Sequence, residues 1–197
     1  MDNENLERPA LLIIDMVKDN FKASRNLPIT ALAREIIVPV NRLAGIFRDQ
    51  GWPVVFCTDA FHKEDFIFKG RMKPHSLAGT EGAEIIQELN RKEGDLWQQK
   101  PRFSAFFRTG LDHWLKQRGI TLCAMAGITT NVCVLATVMD ALSHDFKAVL
   151  LEDCTAASTR ELHEETLGLY RRNPLYPLLR ITSSVDLAAE LTQGPGQ

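Results

Sequence analysis

Hydrophobic residues in this chain fall into short, strand-sized runs separated by stretches with helical spacing. The runs cover residues 9–15, 53–58, 95–98, 121–126 and 147–152, with a short last one at 179–182. Between the first two, Leu32, Ile36, Ile37, Val40, Leu43, Ile46 and Phe47 recur at intervals that put side chains on one helical face. Thr30 is the expected N-cap of that helix and Gly51 lies past its end, while Pro39 is expected to kink it or reset its start. Further helices are predicted over 109–119, burying Leu111, Trp114 and Leu115, and over 132–143, 160–170 and 184–191. Strands alternating with helices predict an α/β fold, a three-layer α/β/α sandwich around a mostly parallel sheet of five to six strands.

The chain has 197 residues, which fits one domain spanning 1–197, with flexible ends expected at 1–8 and 193–197. A formal charge of −2, with no basic stripe interleaved with aromatics, argues against a nucleic-acid partner and for a small-molecule substrate. The apolar runs are too short to cross a membrane, and the acidic, polar first eight residues do not read as a signal peptide, so a cytoplasmic protein is expected. Cys57, Cys123, Cys133 and Cys154 follow no zinc or disulfide spacing and read as free thiols. Cys57 and Cys123, inside strand runs, read as small buried hydrophobes.

One stretch carries chemistry. Residues 124–134, AMAGITTNVCV, run an apolar strand through a glycine and two threonines into a cysteine that opens a helix. Unpaired N–H groups and the positive end of the helix dipole at such a position favour thiolate over thiol and hold a developing oxyanion. Asp15 closes ALLIID and Lys100 closes DLWQQK, each at the end of a strand-like run. In an open parallel sheet the carboxyl ends of the strands border the ligand crevice, so Asp15, Lys100 and Cys133 converge there as a catalytic set. His113, His144 and His163 sit in predicted helices and read as solvated or core-edge groups, which separates this arrangement from a cysteine–histidine pair.

The ordered trio, together with LLIIDM, PHSLAGTEGAEI, KPRFSAFFRTGL, AGITTNVCVLATVMDAL and VLLEDCTAA, resembles the isochorismatase-like cysteine hydrolase superfamily over nearly the whole chain. That superfamily includes nicotinamidases, N-carbamoylsarcosine amidohydrolases and ureide-cleaving amidases. The resemblance implies an Asp–Lys–Cys triad that hydrolyses a C–N bond through a thioester. It also implies a non-proline cis peptide between Ile128 and Thr129, which aims the N–H groups of Thr129 and Cys133 at the oxyanion. Dimers or tetramers are implied as well.

Two points bear on the substrate. Nicotinamidases use an Asp and two His from the region of Asp59, His62 and His75 to hold a divalent metal, zinc or iron, whereas the thiol chemistry itself needs no cofactor. Here Asp59 and His62 are separated by two residues instead of one, and Asn131 stands where nicotinamidases commonly carry Asp, so TNVCV looks more like the ureido and carbamoyl amidases. Phe21, Phe61 and Phe66 lie in loops that read as pocket walls or packing, with 66–68 as a lid or an interface. Arg71, Arg102 and Arg108 are candidate grips for a substrate carboxylate. The leading expectation is an amidohydrolase acting on a small amide, ureido or carbamoyl compound. The alternatives are a metal-assisted nicotinamidase, a vinyl-ether hydrolase of the isochorismatase type, which lacks the cysteine, and a silent binding protein on the same fold.

Overall fold

The computed structural model describes residues 7–193. Six strands form one sheet in the order β3-β2-β1-β4-β5-β6: β1 (Pro9–Ile14), β2 (Val54–Asp59), β3 (Leu96–Lys100), β4 (Leu122–Ile128), β5 (Lys147–Ala156) and β6 (Leu179–Thr182). Every pairing is parallel. Helices cover both faces, which is why β1 reads as an unbroken apolar run and not as an alternation. Its Leu11 and Ile13 point into one core, with Val40, Leu43 and Phe47. Ala10, Leu12 and Ile14 point into the other, with Leu111, Leu115 and Val138.

The helices are α1 (Lys18–Phe21), α2 (Ile29–Glu35), α3 (Ile37–Asp49), α4 (Leu111–Gln117), α5 (Leu135–Ser143), α6 (Arg160–Arg171) and α7 (Ser184–Gln193). Pro39 resets the helix instead of kinking it: the chain breaks at Ile36, and Pro39 falls in the first turn of α3, where its missing N–H is not needed. Thr30 is not the N-cap of α2. Pro28 holds that place, and the Thr30 hydroxyl donates to the Asn20 carbonyl. The flexible ends expected at 1–8 and 193–197 lie mostly outside the described residues, but Arg8 is tied down, its N–H donating to the Thr121 hydroxyl.

At the carboxyl edge β1 runs between β2 and β4, and β3 flanks β2. The ends of β1, β2 and β3 therefore deliver Asp15, Asp59 and Lys100 to one place, and the chain leaving β4 adds Cys133. A register change between β4 and β5, from Leu150 opposite Met125 to Thr155 opposite Gly127, marks a bulge beside it.

Candidate active site

Asp15 is the first residue past β1 and takes a left-handed backbone, φ 54°. Aspartate tolerates this region better than bulkier residues, and the turn swings its carboxylate across the end of the sheet. Oδ1 accepts the Asp59 backbone N–H at 2.8 Å. Oδ2 stands 2.9 Å from the Lys100 ammonium, yet it takes no well-directed hydrogen bond from any described group. A buried carboxylate oxygen with spare acceptor capacity is what a proton acceptor requires.

Lys100 is fully buried. Its Nζ donates to Asp59 Oδ1 and, at 3.1 Å, to the Arg102 carbonyl. Burial by itself would discharge the amine, but the charge of Asp15 and the charge and hydrogen bond of Asp59 act against that, and its pKa lies above the ordinary lysine value. Asp59 is affected in the opposite way. Burial and the neighbouring Asp15 charge push its carboxyl up to about 7, against the pull of Lys100.

Cys133 lies in a π-helical turn, Thr130–Val134, that leads into α5. Such turns collect at functional sites. The Thr137 hydroxyl donates to the Cys133 carbonyl at 2.7 Å and accepts the Ala105 N–H at 3.1 Å, which ties the turn to the loop that follows Lys100. The Ile128–Thr129 peptide before the turn is cis. Gly127 has φ 104°, and a Cβ there would lie 2.1 Å from the Ile14 carbonyl oxygen, so only glycine fits where β4 presses against β1.

The half-buried thiol differs from the expectation that a helix start favours the thiolate. Burial raises its pKa well above the ordinary cysteine value; Lys100 opposes this, but Asp15 and Asp59 add to it. With two carboxylates sharing one ammonium, the resting group keeps the proton on sulfur. The other three cysteines are free and buried.

The metal set read from the sequence does not assemble. Among the described residues, the group of three metal-ligating side chains within 4.8 Å of one another is Asp15, Asp59 and Cys133. Neither imidazole joins it, because Asp59 turns inward to Lys100. His62 is exposed, its backbone N–H donating to Asp65. His75 Nδ1 bonds the Lys73 carbonyl, and its ring packs edge-on to Phe61 and Phe68. Nor does the inner trio fit a divalent cation, since both carboxylates already face the Lys100 ammonium.

Of the other expected contacts, Asn131 is half-buried in the π-helical turn. Phe21 and Phe61 are buried, Phe61 against Phe68 at 5.5 Å. Phe66 is exposed. Arg102 pairs with Asp65 at 3.1 Å, and Arg108 lies over the Phe107 ring. Asp59, read from the sequence as a candidate metal ligand, faces Lys100, which nothing in the spacing revealed.

A family model described as the isochorismatase domain matches residues 9–178. The chain belongs to this family. Within it, the chain is 28% identical over 186 residues to a ureidoacrylate amidohydrolase, RutB, of Acinetobacter baylyi, covering 82% of this chain and 76% of the relative. It is 31% identical over 172 residues to a probable inactive nicotinamidase of Arabidopsis thaliana, covering 81% and 86%. Among solved structures, N-carbamoylsarcosine amidase from Thermoplasma acidophilum superposes with a TM-score of 0.75 at 29% identity, over 90% of this chain and 96% of that one. A pyrazinamidase of Pyrococcus horikoshii, solved in complex with zinc, superposes with a TM-score of 0.75 at 26% identity, over 89% and 99%. The fold described above matches that of the two superposed structures. No described helix of the chain is long and apolar enough to cross a membrane.

Proposed function

We propose that the protein is a cysteine-dependent amidohydrolase that cleaves a C–N bond of a small ureido, carbamoyl or simple amide compound. The observation that carries this reading is the convergence of the Cys133 thiol with the Asp15 carboxylate, whose Oδ2 has spare acceptor capacity, and the buried Lys100 ammonium. The similarity to ureidoacrylate amidohydrolase and to N-carbamoylsarcosine amidase supports the substrate class.

Asp15 takes the Cys133 proton as sulfur attacks the carbonyl carbon, and the backbone N–H groups of Thr129 and Cys133 receive the developing oxyanion. Collapse breaks the C–N bond, and Asp15 returns the proton to the departing ammonia or amine. Water, deprotonated by Asp15, then attacks the thioester; the acid leaves and sulfur regains its proton. Lys100, 2.9 Å from Asp15 Oδ2, offsets the charge that appears on sulfur. Asn131, half-buried in the same turn as the nucleophile, is the polar side chain assigned to orient the substrate. No step runs through a metal.

Ammonia release from a panel of ureido, carbamoyl-amino-acid, aliphatic and nicotinamide substrates, with wild type and Cys133→Ala, tests the proposal. Turnover of one carbonyl class that disappears in the variant is expected. Undiminished turnover in the variant would remove the thiol mechanism. The similarity to a probable inactive nicotinamidase favours a catalytically silent protein as the second reading, and silence of the wild type across the panel would select it.

A further inference from the structure

His163, on α6, makes two hydrogen bonds that reach from the nucleophile's turn to the bulged strand. Its Nδ1 lies 2.9 Å from the Thr130 hydroxyl and its Nε2 lies 3.1 Å from the Glu152 carbonyl. A carbonyl only accepts, so Nε2 carries the proton; in the neutral ring Nδ1 is then bare and the Thr130 hydroxyl donates to it. Both imidazole nitrogens are thereby committed, and the ring is fixed in tautomer and orientation.

Thr130 has no exposed surface and is the first residue of the turn that holds Cys133. It also follows Thr129 directly. Several helical hydroxyls bond back to a carbonyl four residues earlier, as Thr137 does to Cys133, Thr166 to Leu162 and Ser143 to Met139. Thr130, at the start of its turn, reaches across to another helix instead. The far anchor is equally specific: Glu152 lies in the stretch of β5 where the register with β4 changes, and the Leu151 carbonyl beside it accepts the Thr155 hydroxyl.

We propose that His163 is a positioning residue for the thiol chemistry, holding the Thr129–Cys133 turn against β5 through the Thr130 hydroxyl. It touches no reacting atom. Its effect is on the aim of the sulfur and of the two N–H groups that follow from the same turn, and it rests on the cysteine reading above. Small errors of aim in a site of this kind are felt in the rate more than in binding.

The test compares His163→Ala, Thr130→Val, the double variant and Thr130→Ser on whichever substrate the wild type turns over, with Cys133→Ala alongside. Each of the first two is expected to lower kcat by about 10- to 100-fold while KM stays within about twofold, the size of loss that misplacement of reacting groups produces. The double variant should lose no more than the worse single, since both remove one hydrogen bond. Thr130→Ser, which keeps the hydroxyl, should retain wild-type kcat. A His163→Ala enzyme with wild-type kcat, losses that multiply in the double variant, or a Thr130→Ser enzyme as impaired as Thr130→Val would each overturn the proposal. Should His163→Ala fail to fold, the Val and Ser variants of Thr130 decide it. Turnover by Cys133→Ala would instead strike at the cysteine reading, whatever the His163 result.

Discussion

The Asp15 carboxylate and the Cys133 sulfur lie within 4.8 Å of each other, although they leave the sheet from different strands, β1 and β4. Parallel pairing of those strands, with Ile14 opposite Gly127, fixes this approach. Burial, with the charges of Asp15 and Asp59, raises the thiol pKa, so in the proposed mechanism the carboxylate takes the proton during attack and not before it.

Asp15→Asn separates the two roles of that carboxylate. Losing the base should reduce turnover by about 10²- to 10⁴-fold, the usual contribution of a positioned proton acceptor. Losing its negative charge should lower the thiol pKa, so alkylation of Cys133 by iodoacetamide at neutral pH should become faster. Slower alkylation together with slower turnover would contradict the charge assignment.

Lys100→Met leaves Asp15 and Asp59 buried beside each other with no counter-ion. Removing one partner of a buried ion pair typically destabilises by about 3–5 kcal/mol. Urea denaturation should show a loss of that order. A loss below about 1 kcal/mol would mean that the ammonium matters to the fold no more than an exposed pair does.

Asp59 has a folded-state pKa raised from 3.8 to about 7. Between those values the folded state binds the proton and the unfolded chain does not, so stability falls as pH rises through this window. The thermal midpoint of the wild type should therefore decline, relative to Asp59→Asn, between pH 5 and about 8. Parallel pH dependences of the two proteins would show that Asp59 does not titrate there.

Gly127 admits no side chain, given its left-handed φ and the Ile14 backbone against it. Gly127→Ala should cost on the order of 3 kcal/mol or more, read in thermal or urea melts. Wild-type stability would require β1 and β4 to separate at low cost.

Much of this was legible in the chain itself. Each of the six runs overlaps a strand: β1, β2 and β4 are buried throughout and need continuous hydrophobicity, the edge strands β3 and β6 are short and mostly half-buried, and the strand ends carried their polar residues to the crevice. The π-helical turn was not legible: residues 130–134 have the composition of an ordinary helix start, and the extra width of the turn comes from the Thr129 carbonyl accepting from both Val132 and Val134. The inward turn of Asp59 escaped for a similar reason. Its neighbours His62 and His75 suggested a metal, and only the pairing of β2 with β3, which sets Asp59 opposite Lys100, diverts the carboxylate. His163 read as a core-edge residue because its partners, Thr130 and Glu152, are distant in sequence.

Intact-mass spectrometry of rapidly quenched turnover addresses the central claim most directly. With a substrate from the reactive class, wild type should carry an added mass equal to the acyl fragment, mapping to the Cys133 peptide and released by hydroxylamine, while Cys133→Ala carries none. Turnover without any adduct on Cys133, or an adduct on another residue, would contradict the account.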